Sequence, residues 1–437
     1  MMAESSTELD QFQEMLNTAF ATMPEDLLGK VRLKAWDHFL ELGLPTRKSE
    51  VYRYVKLRSL YENRFETAPH SHSVTAEQID PFILPESPNS VLVFVNGIFD
   101  STLSRMSGLP KKMVVTSLSE AFKTFSTFLQ NHWAKTIKEE TDPFAILNVA
   151  LHNGGAFIYL PPKTVVEEPV QILHILATDQ KPLMLFPRTH IFAGSHAEAL
   201  FCATQGVVSG GNHWINLATD FALEEGAQIR YLQTSSNEPN GTLYFDAVRA
   251  QIKGNCTFKT LNTTEGSECQ RYDYKVTLQG ENGDALLYGL WMGKGKNEVH
   301  THILMDHQAP HCHSFQFFKG VLDENSHSSF EGKILVRQAA QKTDAFQLNN
   351  NLILSEGASA ESKPNLEIFA DDVKASHGAT VGQLDEEQLF YMKTRGFSTG
   401  AAKSLLVSGF CAEILDNIPI PSLKQQALNK AHGYYEH

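Results

Sequence analysis

The chain has 437 residues, 42% of them hydrophobic and 20% charged, and a formal net charge of −13. Its length predicts about three domains with sizeable cores, and its composition is that of an ordinary folded chain. The acidic balance, with no basic run of five or more, excludes nucleic acid and anionic lipid as main partners, because both reward clustered Lys and Arg.

The segment from Met1 to Asp10 carries acids and no apolar run, so it does not read as a secretory signal. No stretch reaches the roughly 18 apolar residues a membrane helix needs. The cysteines (Cys202, Cys256, Cys269, Cys312 and Cys411) are scattered and odd in number, which suits free thiols in a reducing compartment. A cytoplasmic chain is expected.

Residues 1 to about 65 read as helical. Phe12, Met15, Leu16 and Phe20 share one face, and Val31, Ala35, Trp36, Phe39 and Leu40 repeat the spacing until Gly43 and Pro45 stop it. The run Val91-Leu-Val-Phe-Val reads as a buried strand ending in an Asn96-Gly97 turn. Ala121 to Trp133, with Phe122, Phe125, Phe128 and Leu129, predicts one amphipathic helix. Residues 1–150 are therefore expected to form an N-terminal helical, mixed α-β region.

From about Thr164 to Gln383 short alternating or apolar runs dominate, separated by polar turns. Three turns share a signature, at Glu225-Gly-Ala, Glu265-Gly-Ser and Glu356-Gly-Ala. A recurrent turn between short strands predicts a β-solenoid over 151–384, with about 20–25 residues per coil and about ten coils. Asn349, Asn350 and Asn351 would supply a stacked polar corner. A jelly roll or sandwich is the alternative.

Between Asn365 and Ala370 the pattern is strand-like, with Leu366, Ile368 and Ala370 alternating with Glu367 and Phe369. Ser376-His377-Gly378 then reads as a turn carrying one histidine. Helical spacing resumes after Asp385, Glu386 and Glu387, so 385–437 is expected to be a C-terminal helical region. Within it Ala402, Leu405, Leu406, Gly409, Phe410 and Ile414 form an apolar stripe behind an N-cap at Ser398 or Thr399. Pro419 and Pro421 would end that helix and leave a frayed tail to His437.

The chain lacks a phosphate loop: Gly293-Lys-Gly-Lys-Asn-Glu has neither the spacing nor the hydroxyl. ATP hydrolysis by this chain alone is not expected. The densest ligand cluster is His300, His302, His307, His311, Cys312 and His313. Imidazole and thiolate bind iron or zinc, and His300 and His302 share a strand face, so a cupin-like metal enzyme using His300, His302 and His307 is one reading. Polar residues on the faces and turns of stacked strands are the other. Cys312, between two histidines, is the thiol expected to have a lowered pKa. His377 is either a metal or cluster ligand or a turn histidine.

Taken jointly, several segments resemble the SufB/SufD family of iron–sulfur cluster assembly scaffold proteins. They are Tyr52-Arg-Tyr-Val-Lys-Leu, Phe94-Val-Asn-Gly, Pro187-Arg-Thr-His-Ile, Asp306-His-Gln-Ala-Pro-His, Phe318-Lys-Gly-Val-Leu-Asp, Phe330-Glu-Gly-Lys-Ile and Asn365 to Phe397. The resemblance implies a mainly β fold, a right-handed parallel β-helix flanked by N-terminal and C-terminal helices. It implies a non-catalytic scaffold that pairs through its β-helix with a SufB homologue and holds a SufC ATPase on its C-terminal helices, around Arg395, Gly396 and Phe397 and the Leu405 to Ile414 stripe. Alone, the chain could pair with a second copy.

Within that family the SufB type carries cysteine where Glu356 stands, and an acid after the late histidine, where Gly378 stands. Both differences favour the SufD type. There the matching histidine, His377, is implicated in a transient iron or iron–sulfur site at the SufB interface, with no tightly bound cofactor in the isolated chain. Some relatives have cysteine two residues earlier, where this chain has Ala375, so any thiol would come from the partner.

Overall fold

The alternating runs build two long parallel sheets in the computed structural model, which describes residues 6–69, 71–178, 181–235 and 241–434. Successive strands alternate between an eleven-stranded and a ten-stranded sheet, so each coil gives one strand to each. The result is a parallel solenoid of about eight turns. Partner residues are 26 positions apart at Leu243–Cys269 and 32 apart at His327–Ser359, so the coils are longer and fewer than expected. The physical reason is strand length. Glu298–His307 and His313–Leu322 each run ten residues, whereas the apolar runs mark only parts of them.

One corner of the solenoid repeats through the stack. His196, Gly226, Asn255, Asn282, His311 and Lys342 all have φ in the left-handed region. Each donates its backbone N–H to a carbonyl in the next coil, His196 to Glu225, Asn255 to Glu281 and His311 to Gln341 among them. These bonds satisfy turn amides that would otherwise be lost from the sheets. The Asn255 and Asn282 side chains also bond, at 3.2 Å. The polar corner is therefore here, while Asn349 and Asn351 lie mid-strand, buried and bonded to each other at 2.8 Å.

The N-terminal layer covers the outer face of the eleven-stranded sheet. Helices Ser6–Ala21 and Gly29–Leu42 bury Phe12, Leu16, Val31, Ala35, Trp36 and Phe39 in one cluster with Trp214, Phe245 and Cys269 of the sheet. Leu40 falls outside that face, half exposed. The helix expected over 121–133 is two, Leu118–Thr124 and Ser126–Glu139, broken at Phe125. Buried ion pairs fasten the layer: Arg249 lies 2.7 Å from Glu140 and 2.6 Å from Asp273, and Arg271 lies 2.9 Å from Asp142 and 2.8 Å from Asp273. The strand Val91–Val95 is wholly buried, turns at Asn96-Gly97, and pairs in parallel with Val170–Ala177.

Helices Thr399–Leu415 and Pro421–Gly433 pack on the outer face of the ten-stranded sheet. Val407, Cys411, Ile414, Leu423 and Ala427 meet Cys202, Leu232, Leu261, Leu290 and Val321 there. Pro421 starts a helix rather than ending one, since a first-turn position needs no N–H from it. The expected frayed tail is therefore helical to Gly433, and residues 435–437 lie outside the described residues.

Candidate functional site

The two ends of the solenoid differ. At the first, Val114–Ser117 pairs antiparallel with Ala156–Leu160, and Ile98–Arg105 with Val91–Val95, so both sheets finish on a covering strand. At the other end, Ser359–Ile368 and Lys374–Gly382 are the last strands of their sheets, and no described strand covers their outer edges. Ile368, Phe369 and Val381 are exposed there. An uncovered pair of edges with apolar side chains is a template for pairing with another chain.

The two edges are not equal. In a parallel strand alternate residues turn their backbone groups to the same side. The Ser359 N–H donates to Ser326 and the Phe369 N–H to Val336, so the even-numbered amides of the Ser359–Ile368 strand face outward. Pro364 sits in this outward set and interrupts it, as prolines do on edge strands. The Lys374 N–H donates to Thr343, which leaves the amides of Ala375, His377, Ala379 and Val381 turned outward on the final strand. That edge is unbroken.

His377 lies in the middle of this final strand, not in a turn. The expected turn at Ser376–Gly378 is displaced because the chain reverses earlier, where Lys342 binds Asp372. In register His377 sits on Gln347, which sits on Gln316. Burial alternates along the neighbouring strand, with Ala345, Gln347 and Asn349 buried and Phe346 exposed. His377 thus ends an inward-facing polar column whose Gln347 amide donates to Gln316 at 2.7 Å. Because the coil above is absent, its imidazole is exposed and is presented to whatever covers the end. Ala375 packs against the solenoid core, and Glu356 lies in the exposed turn before Ser359.

A second surface is aromatic. Helix Glu386–Thr394 is capped by Asp385, which accepts from the Glu387 and Gln388 amides, and it buries only Leu389. Phe390, Tyr391, Phe397 and Leu405 are exposed, with Phe390 at 69%. The Arg395 guanidinium lies 5.1 Å from the Tyr391 ring centre, and Gly396, at φ 93°, turns the chain toward the Ser398 cap of the next helix. Of the apolar stripe, Ala402 and Ile414 are buried while Leu405 and Gly409 face outward.

The histidine-rich segment does not converge. His302 Nδ1 is 2.8 Å from Asp273, His307 Nε2 is 2.9 Å from Ser314, and His313 Nδ1 is 2.7 Å from Asp284. His300 and His302 share a strand face, His307 falls on the opposite one, and His311 is a corner residue. Burial lowers the His307 pKa to about 4, so that ring is neutral. The Cys312 thiol is raised by burial rather than lowered, and its Sγ lies 3.2 Å from the Gly280 carbonyl. His300 instead meets Glu298 and Cys269, a grouping the sequence hides because Cys269 comes from another coil.

Two family models and several known proteins match this chain. The family described as "SUF system FeS cluster assembly, SufBD core domain" matches residues 174–410, and "SufBD protein N-terminal region" matches residues 3–172. An iron–sulfur cluster assembly SufBD family protein of Synechocystis is 30% identical, covering 96% of this chain and 94% of its own. The iron–sulfur cluster assembly protein SufD of Escherichia coli is 28% identical, with 89% of each chain covered. The SufB protein of Bacillus subtilis is 24% identical over 89% of this chain and 85% of its own.

Proposed function

The chain belongs to the SufBD family of the SUF iron–sulfur cluster assembly system, and from that premise we propose that it is a cytoplasmic, non-catalytic scaffold subunit of the SufD type. Its final strand pairs edge to edge with the corresponding strand of a SufB homologue, and its C-terminal helices hold a SufC-type ATPase. The observation that carries this reading is the open solenoid end, two edges without a covering strand, one of them unbroken. Pairing there would satisfy the outward amides of the final strand and cover Ile368, Phe369 and Val381 in one step.

His377 would then lie at the covered junction and offer its imidazole to an iron or a forming cluster, with sulfur supplied by the partner. The exposed Phe390, Tyr391, Phe397 and Leu405 give the ATPase an aromatic anchor beside the Arg395 charge. This division of labour accounts for the missing phosphate loop. The cupin-like alternative finds no support in the geometry, because His302 and His307 are committed to separate partners.

Co-expression with the SufB- and SufC-type proteins of the same cell, followed by size-exclusion chromatography with mass determination, tests the reading. A stable complex containing all three chains is expected. Elution of this chain alone or only as a pair of its own copies would reject it.

A further inference from the structure

We infer that Cys269, Glu298 and His300 form a binding site for one divalent transition-metal ion of the Zn²⁺ or Fe²⁺ type. All three are about 2% exposed, and one donor atom from each lies within 4.8 Å of the others. Glu298 and His300 are two apart on one strand and so share its outer face. Cys269 begins the adjacent strand, whose next residue, Gln270, is in register with Val299. The three donors therefore lie on one face of two hydrogen-bonded strands, beneath the N-terminal layer.

The spacing suits a metal. Glu298 Oε2 and His300 Nε2 are 3.3 Å apart, and two oxygen or nitrogen ligands of a tetrahedral zinc ion are separated by about 3.3 Å. The other ring nitrogen of His300 is held 2.8 Å from Ser329 Oγ, which fixes the imidazole with Nε2 toward the carboxylate. Metal-bound histidines are commonly held in this way. A thiol, an imidazole and a carboxylate are a borderline donor set that excludes Mg²⁺ and Ca²⁺, which take oxygen ligands.

One cation already stands at this place. The Lys56 ammonium pairs with Glu298. Lys56 is 58% exposed, so its side chain can swing into water and yield the site to a dication. The site thus works as a lysine-gated cation site at the seam between the N-terminal segment and the solenoid. It departs from the sequence expectation that the isolated chain holds no tightly bound metal, and it stands independently of the scaffold reading.

The test is titration of the full-length, metal-stripped, reduced chain with Co²⁺, read as the thiolate-to-cobalt charge-transfer band. One equivalent is expected to bind with that band, and one equivalent of Zn²⁺ to displace it. Cys269→Ser should abolish the band, and His300→Gln should weaken binding by about tenfold or more. Lys56→Met, an exposed change that leaves the ligands in place, should tighten binding by about threefold by removing the competing cation. A band that survives Cys269→Ser, the absence of any band in the parent chain, or a Lys56→Met affinity that is unchanged or weaker would overturn the inference. The Lys56 variant keeps the test decisive even if a buried ligand substitution impairs folding.

Discussion

Ala379→Pro on the final strand separates partner pairing from folding. The Ala379 amide is one of the four turned to the open edge, so proline removes a group that the isolated chain does not use. Proline is tolerated on edge strands in this orientation, and Pro364 already occupies the equivalent outward set of the neighbouring edge. The unfolding free energy should therefore change by no more than about 1 kcal/mol. Pairing loses one inter-strand hydrogen bond and leaves a partner carbonyl unsatisfied, together about 2–4 kcal/mol. That is about 30- to 1,000-fold in Kd. Thr380→Pro is the matched contrast: its amide belongs to the set turned toward the buried neighbouring strand, so it should cost the fold itself about 3 kcal/mol or more. Thermal unfolding and calorimetric titration with the SufB-type partner read the two effects. Undiminished partner affinity in a folded Ala379→Pro variant would refute the edge-pairing argument.

Other expectations follow from the same geometry. His377→Ala should change stability by less than about 0.5 kcal/mol, since the ring is exposed, and leave complex formation intact, while iron–sulfur enzyme activities in complemented cells fall; normal activities would remove His377 from the site. Phe390→Glu with Phe397→Glu should weaken SufC-type binding by about tenfold or more while leaving SufB-type pairing unchanged, as pull-downs with each partner would report. Asp246 lies inside the solenoid, where burial raises its pKa to about 7, although Gln233 and Tyr244 donate to its carboxylate at 2.7 and 3.2 Å. Its folded pKa exceeds the unfolded value of about 3.9, so the folded state binds the extra proton and stability is lost as pH rises from about 4 to 7. Asp246→Asn should flatten the part of this slope owed to Asp246, and a melting temperature with the same pH dependence as the parent would count against the assignment.

Much of the fold was legible because local patterns agreed with their surroundings. Val91–Val95 with its Asn-Gly turn, the buried faces of the first two helices and the Ser398 cap all appear where periodicity placed them. Coil length was not, because a ten-residue strand such as Asp344–Ile353 alternates polar and apolar side chains, and buried Gln347 and Asn349 look like turn residues in a one-dimensional reading. For the same reason Ser376-His377-Gly378, an open edge of small and polar residues, imitates a turn. From the residues alone His377 stood between a metal ligand and a turn histidine, and family resemblance favoured the first. The grouping of Cys269 with Glu298 and His300 depends on a register between coils that the sequence does not display.

Amide hydrogen exchange of the segment Lys374–Gly382, with and without the SufB-type partner, reports on the open edge itself. Fast exchange is expected at Ala375, His377, Ala379 and Val381 in the free chain, and strong protection of these amides in the complex. Partner binding with exchange unchanged across this strand would contradict edge pairing.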